Sequence, residues 1–271
     1  MLRQLFRGTS RRTKILMGWL AFSSGLYRRL LRRKGVIVVF HRVNDRYPND
    51  PITSSTKEFD DYVQFFSRFF EVVPLSGMLA MLASGDDLGA KLAITFDDGY
   101  LGNATVAAPI LKRHGAKAAF FVTTGFIGTN RVPPWDKRSN IATEWMNWDH
   151  IRALRDEGHE IGSHTATHVD LGVMNGQAAR DEIAAGKQRV EAELSEPAPL
   201  FAYPFGGKKQ MTEQNLTQVK ELGLRCCVSA YGGTVTAGDD PFRLKRTTIS
   251  RWFASPYHFG FELITGRLEQ K

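Results

Sequence analysis

The sequence predicts an α/β fold in which parallel strands alternate with helices. Along residues 35–271, short apolar runs typical of buried strands alternate six or seven times with segments of helical periodicity. Such alternation favours a parallel sheet with right-handed crossovers. The chain has 271 residues, of which 42% are hydrophobic and 24% charged. This is enough for one large globular core and excludes disorder or coiled coil as a description of the whole chain.

The first half of the chain begins with a predicted strand at 36–40, where β-branched residues run together. A capping box of Ser55 and Glu58 then starts a helix that carries phenylalanines at helical spacing. Further strands are predicted at 70–75, 92–96 and 118–122, and further helices from Ser76 and at 104–114.

The second half opens with residues 125–143, which lack periodicity and are predicted to form an irregular loop. Asp149 is expected to cap a helix that ends before Gly158, since aspartate accepts from free backbone N–H groups and glycine closes helices. The remaining strands are predicted at 159–163, 200–203, 226–229 and 244–249, and the remaining helices at 177–194, 212–222 and from Ser255.

Basic residues are concentrated at the N-terminus. The chain has 36 Lys and Arg against 28 Asp and Glu, a net charge of +8, and residues 1–34 hold ten of the basic residues and no acidic one. Residues 35–271 are therefore close to neutral, with 26 basic and 28 acidic residues. This distribution argues against nucleic-acid binding by the body and indicates that residues 1–34 form a basic anchoring segment.

The basic segment surrounds an apolar stretch at 15–27, which is shorter than the roughly 20 apolar residues of a spanning helix. We expect an amphipathic helix on an anionic membrane surface, which makes the protein cytoplasmic and peripheral on the inner membrane. Two alternatives stay open: a helix packed on the body, and an export signal cleaved near Ser23, which the second basic cluster disfavours. The residues expected in lipid are Trp19, Leu20, Leu26 and Leu30.

Polar residues follow four separate predicted strands at the point where each strand ends. In parallel α/β folds, ligands bind at the carboxyl ends of the strands. Because these residues come from different strands and reach the same rim, the sequence predicts an active site there. The residues are His41, Asp97 with Asp98, Ser163 with His164, and Tyr203.

Two histidines and two aspartates at this rim indicate a metal site. A spacing of four puts His164 and His168 on one face if the segment turns helically, and two histidines with one carboxylate commonly bind zinc or iron. Asp97 and Asp98 reach one site only where the strand breaks into a turn, which Gly99 permits. Each motif alone is more often a pair of surface histidines or an Asp-Gly turn, but the combination favours a metal ligand beside a free base.

These groups suit hydrolysis of an amide. A metal with three protein ligands keeps a position for water and lowers the pKa of that water to about 7. The free carboxylate can accept a proton as the water attacks a carbonyl, and the oxyanion needs the metal and a backbone donor. The leaving amine needs a general acid, which His41 can supply from the first strand.

At residues 95–100 and 163–168 the chain resembles the first two motifs of the polysaccharide deacetylases, carbohydrate esterase family 4 or the NodB-homology domain. The resemblance covers most of residues 36–265. It implies a distorted, incomplete (β/α) barrel of about seven strands and removal of acetyl groups from amino sugars. The implied cofactor is one divalent metal, above all Zn²⁺, with Co²⁺, Ni²⁺ or Mn²⁺ as alternatives. By resemblance Asp97 is the base, and the metal ligands are Asp98, His164 and His168.

The third family motif is matched only in part, by residues 201–206. Ala202 stands where many members have an arginine that holds the base, and Arg246 is the candidate to replace it. Pro204 has no N–H, so the amide of Phe205 is predicted to stabilise the oxyanion, next to Tyr203 in the substrate site.

The late motif that carries the general acid is absent, and His258 lies in a helix-like context that makes it a poor substitute. Residues 39–43 instead resemble the N-terminal histidine motif of poly-N-acetylglucosamine deacetylases, whose motifs are circularly permuted. This resemblance implies that His41 is the acid. Trp135 and Trp145 flank the irregular loop and are the candidates for stacking on sugar rings.

We therefore expect residues 35–271 to remove N-acetyl groups from N-acetylglucosamine-type residues of a bacterial polysaccharide or lipid-linked glycan. The expected partners are this glycan and, through residues 1–34, an anionic membrane surface, without nucleic acid. Two alternatives remain open: hydrolysis of a non-sugar amide, and a catalytically silent member that binds glycan or docks on a membrane. The missing arginine of the third motif keeps the silent alternative open.

Overall fold

The computed structural model describes residues 9–268 and confirms the α/β fold. Within this range the strands are β1 Lys34–Phe40, β2 Arg42–Val43, β3 Thr53–Ser54, β4 Glu71–Val72, β5 Lys91–Phe96, β6 Ala118–Val122, β7 Glu160–Ser163, β8 Leu200–Ala202, β9 Cys226–Val228, β10 Val235–Thr236 and β11 Thr247–Thr248. The α-helices are α1 Arg11–Ser23, α2 Leu26–Leu30, α3 Thr56–Phe69, α4 Leu75–Ser84, α5 Ala108–Arg113, α6 Pro134–Arg138, α7 Trp148–Asp156, α8 Gly176–Leu194, α9 Glu213–Glu221 and α10 Pro256–Ile264.

Seven strands form a curled sheet in the order β10-β1-β5-β6-β7-β8-β9, with β4 added beside β5 and β11 beside β1. The pairings are parallel except that β10 runs antiparallel to β1. The curled sheet of seven strands confirms the predicted incomplete barrel. The two-residue strands β2 and β3 form a separate parallel pair, and they are too short to produce a pattern in the sequence.

Residues 244–248, here called the closing segment, lie between the two ends of the curled sheet. Leu244 forms a parallel bridge with Val228 of β9, and β11 pairs with Val38 and Val39 of β1. The closing segment thereby connects β9 to β1 across the opening of the barrel. It also carries Arg246, whose side chain is fully buried.

The central strands are buried on both faces, as expected for a parallel sheet covered by helices. Every residue of β1 after Lys34 is buried, and so is every residue of β6. Aromatic rings fill much of the core: Phe96 stacks on Phe120 with ring centroids 4.7 Å apart, and Phe40 lies 5.7 Å from Phe96. This rigid layer holds the strand ends in place.

Three local predictions are corrected by the structure. The helix predicted at 104–114 is divided into a π-helical turn, Asn103–Ala107, and α5, where Pro109 lacks the N–H of a regular helix. The cap of α7 is Asn147, whose side chain accepts from the His150 N–H, rather than Asp149. The irregular loop 125–143 contains the short helix α6.

The N-terminal helix α1 packs directly on the C-terminal helix α10. Gly18 permits this contact, because a Cβ atom there would lie 2.1 Å from the carbonyl oxygen of Tyr257. Lys14 forms an ion pair of 2.7 Å with the buried Glu262 of α10. The ring of Phe22 is buried and stacks on Tyr27 of α2 at 4.5 Å.

The other side of α1 is apolar and exposed. Ser24 and Gly25 separate α1 from α2, and Leu30 of α2 is half-buried, so Leu30 takes no part in this surface. We call the four large exposed side chains the apolar ridge: Leu16 at 56%, Trp19 at 48%, Leu20 at 52% and Leu26 at 49% exposure. Among residues 9–268, none of the helices combines the length and the apolar character needed to cross a membrane.

The contact at Gly18 gives a testable prediction about stability. We expect Gly18→Ala to lower the free energy of unfolding by about 1–3 kcal/mol, since the added methyl group overpacks the interface between α1 and α10. Gly77→Ala in α4 is the matched control, because its nearest neighbour would be 3.7 Å away. The control should raise the free energy of unfolding by about 0.4–1 kcal/mol. Urea denaturation measures both, and stabilisation by both substitutions would contradict the close contact.

Candidate active site

The strand ends surround a cleft of about 410 Å³. The sequence predicted that polar residues at the ends of four strands form a site, and all of them except Ser163 line this cleft. The predicted site residues that line it are His41, Asp97, Asp98, Trp135, His164, His168, Tyr203 and Phe205. The structure thus brings together residues from β1, β5, β7 and β8 at one rim, as the order of strands in the sequence predicts.

The Asp97-Asp98-Gly99 segment breaks β5 into a tight turn. Asp98 and Gly99 have left-handed backbone conformations, with φ of 74° and 97°. The N–H of Gly99 donates to the carbonyl of Asp97 at 2.9 Å. Because the chain turns here, the two neighbouring carboxylates both face the cleft, as expected from the glycine.

Asp98, His164 and His168 form a cluster that can hold a metal. Their ligand atoms lie within 4.8 Å of one another. The Nε2 atoms of His164 and His168 are 3.5 and 3.2 Å from Oδ1 of Asp98. This oxygen is buried and has no hydrogen-bond partner among the described residues, which is the environment expected of a metal ligand.

The two imidazoles converge without a helix. Residues 164–168 form a turn in which Thr165 and His168 have positive φ, and the N–H of His168 donates to the Thr165 hydroxyl at 3.0 Å. The spacing of four therefore selected two histidines whose rings do lie together, with ring centroids 4.9 Å apart. A turn, and not the helix assumed from the spacing, brings them together.

His164 is prepared for metal binding by its neighbours. Its Nδ1 lies 2.7 Å from the carbonyl oxygen of Ala202, so Nδ1 carries the proton and Nε2 keeps a free lone pair. Burial lowers the pKa of His164 to about 4, so the ring is neutral at pH 7. Burial raises the pKa of Asp98, but the neighbouring histidines outweigh it and hold the pKa below its usual range.

Asp97 is fixed by a bidentate ion pair with Arg246. Nη1 of Arg246 is 2.8 Å from one carboxylate oxygen, and Nη2 is 2.6 Å from the other. The guanidinium also donates to the Ser229 carbonyl at 2.5 Å and to the Thr95 hydroxyl at 3.0 Å. Burial would raise the pKa of Asp97, yet the Arg246 charge holds it below its usual range. Asp97 is therefore ionised and oriented, although residue 202 is an alanine and not the arginine that the resemblance leads one to expect.

The two histidines considered as acids differ in location. His41 follows β1, lines the cleft and is partly exposed. His258 is 1% exposed in α10, where its Nδ1 accepts from the Ala254 N–H at 3.1 Å and its ring stacks on Trp252. The structure therefore leaves His41 and not His258 in reach of a substrate.

The aromatic side chains of the loop have two different roles. Trp135 and Phe205 contact the ring of His168 from two sides, with ring centroids at 4.6 and 5.0 Å, and both line the cleft. Trp145 is outside the cleft, contrary to the sequence-based expectation. It is 7% exposed and stacks on Tyr100 at 4.6 Å, so it supports the cleft wall from behind.

A buried network behind the wall was not predicted. Arg42, next to His41, donates to Asp136 of α6 at 2.5 Å and lies 4.3 Å over the Tyr100 ring. Trp135 donates to the Tyr100 hydroxyl at 2.8 Å. The sequence gives one indication of this network, which is that the charged Arg42 stands next to the apolar Val43. This does not identify its partner Asp136, 94 residues further along the chain.

The Asp97–Arg246 pair leads to a prediction about stability and pH. Arg246→Gln should lower the free energy of unfolding by about 3–5 kcal/mol, because it leaves a buried carboxylate without its cation. The depressed pKa of Asp97 means that the contribution of the pair is present at neutral pH and lost only as pH falls through that pKa. In the Arg246→Gln variant the burial of Asp97 is no longer offset by a cation, so the pKa of this carboxyl rises. The acidic limb of the pH–rate profile should therefore move to higher pH.

Urea unfolding and pH–rate profiles test this prediction. The double variant Asp97→Asn with Arg246→Gln is the control, since it removes both charges and should recover part of the lost stability. Equal losses in the single and double variants would show that Arg246 acts through something other than Asp97.

The sequence matches the polysaccharide deacetylase family over residues 85–227. The YxkH protein of Bacillus subtilis is 23% identical over 216 residues, covering 79% of this chain and 71% of YxkH. The peptidoglycan-N-acetylglucosamine deacetylase of Bacillus cereus is 32% identical over 144 residues, covering 51% of this chain and 46% of that enzyme. The chain thus spans less than half the length of the Bacillus cereus enzyme.

The fold is also found in the deacetylase PplD of Streptococcus pyogenes, whose structure was determined in complex with acetate. The TM-score is 0.70 at 21% identity, covering 83% of this chain and 96% of PplD. The family match extends over more than half of the chain and includes Asp97, Asp98, His164 and His168. With the curled sheet and the cleft at its strand ends, this match shows that the chain belongs to the polysaccharide deacetylase family.

Proposed function

We propose that this chain is a metal-dependent hydrolase that removes N-acetyl groups from N-acetylglucosamine-type residues of a bacterial polysaccharide or lipid-linked glycan. The observation that carries the proposal is the arrangement around Asp98. Its buried Oδ1, which has no hydrogen-bond partner within residues 9–268, faces two imidazole nitrogens, and the adjacent Asp97 is held separately by Arg246. One carboxylate is thus free for a metal while its neighbour is kept as a base.

The donor set suits a divalent metal. Asp98, His164 and His168 supply one oxygen and two nitrogens, the combination common at catalytic zinc sites, and Co²⁺, Ni²⁺ or Mn²⁺ accept the same ligands. A bound ion would act as a Lewis acid toward the acetyl carbonyl and toward water. Its charge would also compensate the buried carboxylate of Asp98, which carries no arginine or lysine partner among residues 9–268.

The other groups supply proton transfer and orientation. Asp97 is the general base, since Arg246 keeps it ionised and still leaves lone pairs on both carboxylate oxygens. His41 is the general acid for the leaving amine. The N–H of Phe205 is the oxyanion donor, because Pro204 cannot donate, and Tyr203 forms the adjacent wall.

An amino sugar is the substrate that this cleft fits best. Trp135 and Phe205 offer aromatic faces beside the metal ligand His168, and Phe205 is 58% exposed although it is apolar. Aromatic faces of this kind stack on sugar rings. The Bacillus cereus relative is named as a peptidoglycan-N-acetylglucosamine deacetylase, which supports the same substrate class. The Arg246–Asp97 contact removes the main reason for a catalytically silent member.

We also propose that residues 1–34 hold the enzyme on an anionic membrane surface, on the cytoplasmic side of the inner membrane, with export as the alternative. The apolar ridge supports this proposal, because Leu16, Trp19 and Leu20 are exposed on α1, which is docked to the body, and Leu26 is exposed at the start of α2. The same segment also exposes six arginines: Arg11, Arg12, Arg28, Arg29, Arg32 and Arg33. Acidic residues are absent from 1–34, so an anionic bilayer complements the segment in charge and polarity.

Metal content and amine release together test the enzymatic proposal. We expect His164→Ala to lose both the metal, measured by elemental analysis, and the release of amine from N-acetylglucosamine oligomers. Asp97→Asn and His41→Ala should keep the metal and lose at least about 10²-fold in rate, as is typical for removal of a general base or acid.

His114→Ala is the control, since His114 contacts Asp60 outside the cleft and should retain both properties. Full metal occupancy in His164→Ala would refute the ligand assignment. A near-normal rate in His41→Ala would refute its role as the acid.

Vesicle binding tests the membrane proposal. The chain should bind vesicles that contain anionic lipid, and binding should weaken but persist at high salt, because salt screens the arginines and not the apolar contacts. The double variant Trp19→Gln with Leu20→Gln should bind these vesicles at least about tenfold more weakly than the unmodified chain. The reason is that each apolar side chain withdrawn from lipid costs roughly 1 kcal/mol or more of binding free energy.

The matched control is Val173→Gln. Val173 is also apolar and is 83% exposed, but it lies outside the apolar ridge. Hydrolysis of soluble oligomers should be unchanged in both variants. If the unmodified chain ignores anionic vesicles at low salt, the ridge does not serve membrane binding.

A further inference from the structure

We infer that Arg138 selects a glycan that carries a negative charge, a carboxylate or a phosphate, next to the sugar that loses its acetyl group. The inference rests on the proposed deacetylase function and specifies its substrate class. Arg138 lies at the end of α6 and lines the cleft together with Trp135. No pattern in the sequence distinguishes Arg138 from other exposed arginines.

Among the described residues that line the cleft, Arg138 is the only lysine or arginine, and the three carboxylates of the lining have other neighbours. Asp97 is paired with Arg246, and Asp98 lies against two imidazoles. The remaining carboxylate, Asp50, accepts from Arg42 at 3.3 Å and from the Thr53 hydroxyl at 2.6 Å. Arg138 is exposed, and within residues 9–268 its guanidinium has no ion-pair or hydrogen-bond partner. In the part of the chain that the structure describes, the mouth of the cleft therefore presents one free cation to a substrate.

The geometry of α6 directs this cation toward the sugar. Trp135 and Arg138 are three residues apart on a helix, so they lie on the same side with Cβ atoms about 5–6 Å apart. A sugar stacked on Trp135 would place a substituent of the neighbouring sugar within reach of the guanidinium. Lys137, also exposed, is not part of the cleft wall.

The back of α6 is anchored in the protein. Asp136 is 1% exposed and accepts from Arg42 at 2.5 Å and from the Thr143 hydroxyl at 2.7 Å. The indole of Trp135 donates to Tyr100. These contacts fix the backbone that carries Arg138, so the cation has a defined position relative to the metal ligands even though its side chain extends into solvent.

The chemistry of arginine points to the class of ligand. Its planar guanidinium donates two parallel hydrogen bonds to a carboxylate or a phosphate, and it stays charged at every physiological pH. A neutral chitin-like chain offers no such acceptor. The substrate that uses every feature of the cleft is therefore an N-acetylglucosamine glycan with an acidic group on the adjacent unit.

Three soluble substrates of equal length test the inference on the metal-loaded full chain. One is a neutral N-acetylglucosamine oligomer, the second has a carboxylate on the neighbouring sugar, and the third ends in a phosphate monoester. We expect at least one anionic substrate to be preferred by about fivefold in kcat/KM at low salt, the range of an exposed ion pair, mainly through a lower KM. The two anionic arms show which acid is recognised.

Arg138→Gln should abolish this preference and leave turnover of the neutral oligomer within twofold, while Arg138→Lys should retain part of it. Lys137→Gln is the matched control, a loss of the same charge one residue away, and should keep the preference. A preference that survives in Arg138→Gln, or none in the unmodified chain, would overturn the inference. Absence of amine release from all three substrates would overturn the proposed function, and the inference with it.

Discussion

The buried ion pair between Arg246 and Asp97 is the interaction on which the rest of the site depends. The two side chains are 0% and 2% exposed, and charges so deeply buried are tolerated only as a hydrogen-bonded pair. Arg246 reaches Asp97 because the closing segment lies between β9 and β1, where it bonds to both strands. The contacts that place the closing segment between β9 and β1 therefore also place the guanidinium that keeps Asp97 ionised.

A second constraint is that the reactive groups lie on strained turns supported by rigid strands. Asp98, Thr165, His168 and Phe205 all have positive φ, a conformation that costs a residue other than glycine about 1–3 kcal/mol. Each of them follows a strand that is buried, apart from the half-buried first residues of β5 and β7. The buried sheet supplies the stability that allows these turns, and the turns direct carboxylate, imidazole and amide groups into one cleft.

The sequence was sufficient for those features that depend on local patterns. Apolar runs located the strands, and strand ends located Asp97, His164 and His41, because the end of a strand is a local property. Arg246 could be named as the candidate to replace the missing arginine, but its contact with Asp97 could not be derived, since β11 has only two residues and no period. The burial of Trp145 and the pairing of Arg42 with Asp136 depend on contacts within an irregular loop, and loops without periodicity give no indication of which side chains face inward.

The order of the strands has a consequence for biosynthesis. The first strand, β1, pairs with β11, which lies more than 200 residues later, and helix α1 packs on the last helix, α10. The N-terminal part of a chain leaves the ribosome first, so His41, Asp97, Asp98, His164 and His168 emerge well before Arg246. Until then Asp97 has no guanidinium beside it and the barrel has no closing segment. A nascent chain thus contains most of the polar groups of the cleft and still lacks a finished cleft until Arg246 has been synthesised.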